Sequence, residues 1–159
     1  MTDIPGDLAG FLIEAKRRTY AGLDDDATIA APLLAGSKQP EHRAPPYAYR
    51  DIYFGMGFFV GQETVLREGT PIWSMAYSGG AWAETTDRAT LLAIYKFLRR
   101  ALLAAAIDKP YRGPPVLSVD DMTYRNDVEG SLDRFHGIEM ISKAGVQLYE
   151  LRYSGGLLR

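Results

Sequence analysis

Most of the stretch 49–80 is written a second time at 124–156, and this internal repeat limits the possible folds more than any other feature of the chain. Gly61, Glu63, Val65, Gly69, Ile72, Trp73, Tyr77, Ser78, Gly79 and Gly80 recur at an offset of 76. Their counterparts are Gly137, Glu139, Ile141, Gly145, Leu148, Tyr149, Tyr153, Ser154, Gly155 and Gly156. Tyr49, Arg50 and Gly55 recur as Tyr124, Arg125 and Gly130 at an offset of 75, so one residue is gained between the first and second strands of the unit.

Within the first copy, 47–54 is rich in aromatic residues and alternates, with Tyr47, Tyr49, Asp51 and Tyr53 on one side, which predicts a strand. The next two strands are expected at 58–66 and 70–77, joined by Glu68-Gly69, where glycine supplies the positive φ of a tight hairpin. Ala144-Gly145 holds the same place in the second copy. Tyr77-Ser78-Gly79-Gly80 reads as a strand end at which the chain changes direction sharply.

A helix is expected over 7–20, capped by Asp7 and closed by Gly22, with Leu8, Phe11, Leu12, Ala15 and Thr19 on one stripe and Glu14, Lys16 and Arg17 elsewhere. A second, capped by Thr85 or Thr86 and stopped by Pro110, carries Leu91, Ile94, Leu98, Ala101 or Leu102, and Ala105 at helical spacing. Phe97, Leu98 and Ala101 repeat Phe11, Leu12 and Ala15 at an offset of 86, so the connection from helix to sheet is ten residues shorter in the second copy.

The unit is therefore α-β-β-β, and such units do not bury their apolar faces alone. The expected fold is α+β: tandem duplicated units at about 7–82 and 86–158 that form a single domain over 1–159. Pseudo-two-fold symmetry, an antiparallel sheet covered by two helices, and a cleft at the junction complete the expectation. The long connection 23–46 is expected to cover the aromatic face of the first repeat, with Leu33 and Leu34 as its docking tip.

At 159 residues the chain has the length of one domain. Its net charge of −2 argues against direct binding to nucleic acid, and no apolar run reaches the roughly 18 residues of a membrane span. The first residues lack the basic and apolar regions of a signal peptide and there is no cysteine, so a cytoplasmic location without disulfides is expected.

Only His42 and His136 could offer imidazole ligands, they stand in unlike contexts, and no metal or other cofactor is expected. Ser78 and Ser154 lie in Y-S-G-G, which lacks the glycine two residues before the serine that a nucleophile elbow requires. Neither of the Gly-rich phosphate-binding motifs occurs. Glu63 and Glu139 are the candidate catalytic acids, because equivalent strand positions related by an internal axis would let two carboxyls share a cleft and divide acid and base roles. The simpler reading pairs them with Arg50, Arg125 or Arg152, or leaves them facing water on an exposed strand surface. Lys96, Arg99 and Arg100 read as a solvated helix face.

The chain resembles a bacterial domain family of unknown function that occurs alone or behind XRE-type helix-turn-helix domains. The resemblance rests on F-L-x-x-A-K-R-x-T-Y-A-G at 11–22, Y-x-D-x-Y-F-G at 49–55, F-x-G-x-E-x-V at 59–65 and P-x-W-x-M-x-Y-x-G at 71–79. It continues through Y-R-G-P at 111–114, F-x-G-x-E-x-I at 135–141 and G-G-L at 155–157. It implies a sensor or effector-binding role and no established activity; this chain carries no helix-turn-helix of its own. The combined reading is a ligand-binding module with Tyr49, Asp51, Tyr53, Trp73, Tyr77, Tyr111, Arg112, Tyr149 and Tyr153 as candidate contacts to a small molecule. An enzyme built on Glu63 and Glu139 and a protein-interaction module are the alternatives, with a homodimer left open.

Overall fold

The structure, a computed structural model, describes residues 5–19, 31–82 and 87–159. Its strands are β1 (Glu41–Ala44), β2 (Tyr47–Gly55), β3 (Phe58–Arg67), β4 (Thr70–Ala81), β5 (Val116–Val119), β6 (Met122–Ser131), β7 (Arg134–Lys143) and β8 (Val146–Leu157). They form one open antiparallel sheet in the order β1-β2-β3-β4-β8-β7-β6-β5. With helices α1 (Leu8–Arg18) and α2 (Arg88–Leu103) the architecture is α+β. Among the described residues, no helix is long and apolar enough to cross a membrane.

Alternation decides which side of the sheet becomes the core. Tyr47, Tyr49 and Asp51 of β2, Trp73, Met75 and Tyr77 of β4, and Tyr149, Leu151 and Tyr153 of β8 are all buried. Leu8, Phe11, Leu12 and Ala15 of α1, and Ile94, Phe97, Leu98, Ala101 and Leu102 of α2, complete a single apolar cluster with them. The other side carries Arg50, Ile52, Phe54, Val60 and Gln62 and has no covering layer among the described residues. Glu68 and Gly69 adopt φ of 51° and 83°, Ala144 and Gly145 φ of 48° and 81°, as the two hairpins require.

The two halves show matching registers: Glu41 faces Arg50 as Val116 faces Arg125, and Tyr49 faces Val65 as Tyr124 faces Ile141. They meet along β4 and β8, where Tyr77 lies directly opposite Tyr153.

Several details differ from the sequence expectation. Each half contributes four strands rather than three, because β1 and β5 are four-residue edge strands too short for alternation to mark them. The Y-S-G-G segment is no turn: β4 runs through it to Ala81, and the glycines permit close approach. A Cβ on Gly79 would lie 2.2 Å from the Glu150 carbonyl oxygen, and one on Gly80 2.1 Å from that of Gly57. Asp7 caps nothing with its side chain and instead accepts a 2.6 Å hydrogen bond from the Tyr47 hydroxyl. Tyr20, Gly22, Thr85 and Thr86 lie outside the described residues, and the carboxylate that caps α2 is that of Asp87, which accepts from the Ala89 and Thr90 amides. Of the expected cover, 23–30 lies outside the described residues. Leu33 and Leu34 are 65% and 51% exposed, and Leu34 lies beside Ile52, Phe54 and Val60, on the side of the sheet away from the buried tyrosines.

Gly61 and Gly137 serve a packing role. Each faces a tyrosine across the ladder, Tyr77 and Tyr153, whose ring lies over the bare backbone. A Cβ would lie 2.4 Å from a ring carbon in each case. Gly61→Ala and Gly137→Ala should each lower stability by about 1–3 kcal/mol in urea denaturation, since neither ring can retreat within the packed core.

Candidate functional site

Every second residue of the inward sheet face need not be apolar, provided that buried polar groups find partners. In the second half, β7 aims Glu139 inward, opposite Asn126 of β6 and Leu151 of β8, and leaves it no solvent exposure. Four donors meet it. The Arg112 guanidinium donates from Nε at 3.1 Å and from Nη2 at 2.5 Å, the Tyr124 hydroxyl at 2.7 Å and the Tyr149 hydroxyl at 2.8 Å. Arg112 comes from the segment after α2, and that segment is itself tied down: the Gly113 amide donates to the Tyr124 oxygen, and Asn126 Nδ2 donates to the Gly113 carbonyl. Asn126 Oδ1 accepts the Tyr153 hydroxyl at 2.7 Å.

The first half places Glu63, Asp51 and Tyr77 where the second has Glu139, Asn126 and Tyr153, and draws its cation from a different element. Glu63 takes the place of Glu139, and its cation is Lys16 of α1, with Nζ at 2.5 Å. Asp51 takes the place of Asn126 and accepts the Tyr77 hydroxyl at 2.7 Å, as Asn126 accepts that of Tyr153. Burial, then the neighbouring Glu63 charge, pushes the Asp51 carboxyl up to about 7. Burial also lowers the Lys16 pKa, an effect that Glu63 opposes. Tyr49 lies beside Glu63, and its buried hydroxyl has no partner in hydrogen-bond geometry among the described residues; burial and that carboxylate raise its pKa well above the phenol range. Arg112 stands between the clusters, 5.8 Å above the Tyr77 ring, and its field reaches Asp51 as well.

A cavity of about 410 Å³ opens at Asp51. Tyr53, Phe59, Tyr77 and Tyr95 supply its aromatic lining, with Met56 and Leu92 beside them, and Asp51 and Arg112 are its buried polar residues. Lys38, Lys96 and Arg99 complete the lining. Two anchors hold these walls. Tyr95 donates its hydroxyl to the carbonyls of Met56 and Gly57, which fixes α2 against the β2–β3 connection. Lys38 exchanges backbone hydrogen bonds with Tyr53 at 2.9 and 3.0 Å, and its ammonium lies 5.9 Å from the Tyr53 ring centre. In the second half, Asn126 borders a cavity of about 540 Å³ whose lining has no tyrosine, phenylalanine or tryptophan.

Of the candidate ligand contacts, Asp51, Tyr53, Tyr77 and Arg112 come together at the first cavity. Tyr49, Trp73, Tyr111, Tyr149 and Tyr153 are buried in the core, where Tyr111 stacks on Phe135 at 3.9 Å. Glu63 and Glu139 line neither cavity, and their cations are Lys16 and Arg112 rather than Arg50, Arg125 or Arg152. Sequence reasoning missed Lys16, although it stands four residues after Leu12 on the apolar stripe. It also missed Lys38, Phe59 and Tyr95; Lys96, read as part of a solvated helix face, is exposed and borders the cavity, as does the half-buried Arg99. Among the described residues, no group of His, Asp and Glu could hold a metal ion.

Two outcomes follow from the charges. Glu139→Gln strands the Arg112 guanidinium in the core and should cost about 3–5 kcal/mol in urea denaturation. Glu63→Gln should cost less, because a lysine can shed its proton and an arginine cannot. The raised Asp51 pKa favours folding while the group is protonated, so its contribution is complete below the unfolded pKa of about 3.9 and is lost as pH rises through about 7. Asp51→Asn should therefore flatten the decline in stability between about pH 4 and 7 and leave the variant more stable than the parent above it, as read from denaturation midpoints across that range.

No curated protein and no solved structure matches the chain. Residues 51–158, which hold most of the sheet, all of α2, and Asp51, Tyr77 and Arg112, match one family across more than half of the sequence. The chain belongs to that family, the domain of unknown function DUF5680.

Proposed function

We propose that the chain is a small-molecule-binding module whose site is the cavity at Asp51. The observation that carries this reading is the convergence of an aromatic lining with a small set of buried polar groups, Asp51, Tyr77 and Arg112, in a space of about 410 Å³. Concave apolar sites with a few oriented polar groups are the usual form of a ligand pocket. The matching registers and polar positions of the two halves support a tandem duplication about a pseudo-two-fold axis, in which one copy kept a neutral Asn126 and the other holds Asp51 on the cavity. Association with XRE-type helix-turn-helix domains, which the sequence resemblance implies, would make such a module a cytoplasmic effector sensor.

The raised Asp51 pKa favours a second reading, in which acid-base catalysis belongs to Asp51 with Tyr77 as its hydrogen-bonded partner. It would replace Glu63 and Glu139 in that role, because neither of them lines the cavity.

Thermal-shift screening against a broad metabolite library tests the binding reading. A true ligand at 100 times its dissociation constant should stabilise the fold by roughly 2.7 kcal/mol, and Tyr77→Phe or Asp51→Asn should reduce the shift. The absence of any hit, or hits indifferent to both substitutions, would overturn it. Turnover of a hit, lost in Asp51→Asn with binding retained, would establish the catalytic reading.

A further inference from the structure

The lining of the Asp51 cavity also narrows the chemistry of its occupant, an inference that rests on the binding reading above. Four aromatic side chains, Tyr53, Phe59, Tyr77 and Tyr95, line the space, and of these Tyr53 and Tyr95 are only partly buried, which favours a flat, apolar-faced partner. At its polar end stands a carboxyl group. The Tyr77 hydroxyl uses one lone-pair position of Asp51, and a carboxylate offers about four, so acceptor capacity remains for an occupant that brings N–H donors.

Formal charge points the same way. Among the described residues, three carboxyl groups, Asp51, Glu63 and Glu139, are buried on the inner side of the sheet with two cations, Lys16 and Arg112. Both cations make their ion pairs with glutamates, so the acid on the cavity is the one without a direct ionic partner among the described residues. A donor-bearing occupant would satisfy it.

The remainder of the lining has the opposite sign. Lys96 is exposed on α2 and Lys38 is partly exposed beside Tyr53. Neither has a carboxylate partner among the described residues. An acceptor of N–H donors at the buried end, rings along the walls and ammonium groups nearer solvent describe one kind of molecule.

We infer that the cavity takes a planar nitrogen heterocycle that donates N–H hydrogen bonds to Asp51 and carries an anionic substituent toward Lys38 and Lys96. Nucleoside monophosphates and heterocyclic carboxylic acids share this chemistry. Contact with the partly buried Tyr53 and Tyr95 would hold the ring, Asp51 would select donors over acceptors at its edge, and the lysines would prefer the charged compound to its neutral parent.

Isothermal titration of the full chain separates these contributions. Adenosine and cytidine 5′-monophosphates form one arm and orotate the other; adenosine lacks the anion, benzoate the N–H donors, and ribose 5-phosphate both the planar ring and the N–H donors. At least one arm should bind about tenfold more tightly than every control. Asp51→Asn should weaken that binding about tenfold, and Lys96→Ala should weaken it severalfold, with both variants retaining a cooperative melt. Which arm binds decides between the two sources. Benzoate binding as tightly as the heterocycles, with no change in Asp51→Asn, would overturn the inference and leave the cavity as a binding site. Failure of both arms while the metabolite library yields another ligand would also overturn the inference alone, whereas failure of both arms and of the library would remove the binding reading as well.

Discussion

A carboxylate with no solvent contact must be compensated by its surroundings, and much of the second half is arranged around the compensation of Glu139. The bidentate Arg112 guanidinium and two tyrosine hydroxyls fill its acceptor positions. That demand reaches outward. Arg112 lies on an irregular segment that no ladder holds, so the chain after α2 is drawn into the core by this pair and pinned there by Tyr124 and Asn126 through Gly113. The same guanidinium then forms part of the lining of the first cavity and sits over Tyr77. One buried pair thus connects the stability of one half to the site of the other.

The two halves differ in charge at a position where their strand registers match. Asp51 and Asn126 both accept a tyrosine hydroxyl at 2.7 Å, from side chains at matching places on β4 and β8. Glu63 and Glu139 occupy matching places on β3 and β7. Asp51 stands where the second half has Asn126, and the buried glutamates draw on different cations: the bidentate Arg112 ties Glu139 completely, whereas the Lys16 ammonium is a single point of charge that burial pushes toward the neutral form. The first half therefore keeps an acid whose charged form is poorly supported, and that acid is the one on the aromatic cavity.

Much of this was legible in the sequence, for identifiable reasons. Alternation in 47–54 put Tyr47, Tyr49 and Asp51 on one side, and the sheet buries all three. Glu68-Gly69 and Ala144-Gly145 announced their hairpins through backbone chemistry that few other residues satisfy. What stayed hidden depended on neighbours distant in sequence. The edge strand Glu41–Ala44, with the composition EHRA, has no apolar rhythm and exists because β2 offers it a ladder. Lys16 occupies an apolar-stripe position, but its tolerance there depends on Glu63, 47 residues away. Arg112 is a candidate contact from the sequence, but its pairing with Glu139, 27 residues away, was not legible because it stands in no periodic segment. The aromatic character of a site could be read from composition, whereas its location could not, because Tyr95 and Phe59 meet only when α2 closes over β3.

The position of Asp51 carries the last step. Asparagine at the matching place in the second half makes an equivalent hydrogen bond without the cost of a buried charge, so neither the fold nor the tyrosine contact requires an acid there. A residue that burial and a neighbouring carboxylate both disfavour in its charged form, placed on a cavity where a neutral isostere would pack as well, breaks a local rule of stability without gain to the fold. Such departures are expected where a chain binds or transforms something. Among the described residues Asp51 has no direct ionic partner, and the proposed occupant would supply N–H donors in its place, which is why the proposed site lies in the half that contains the acid.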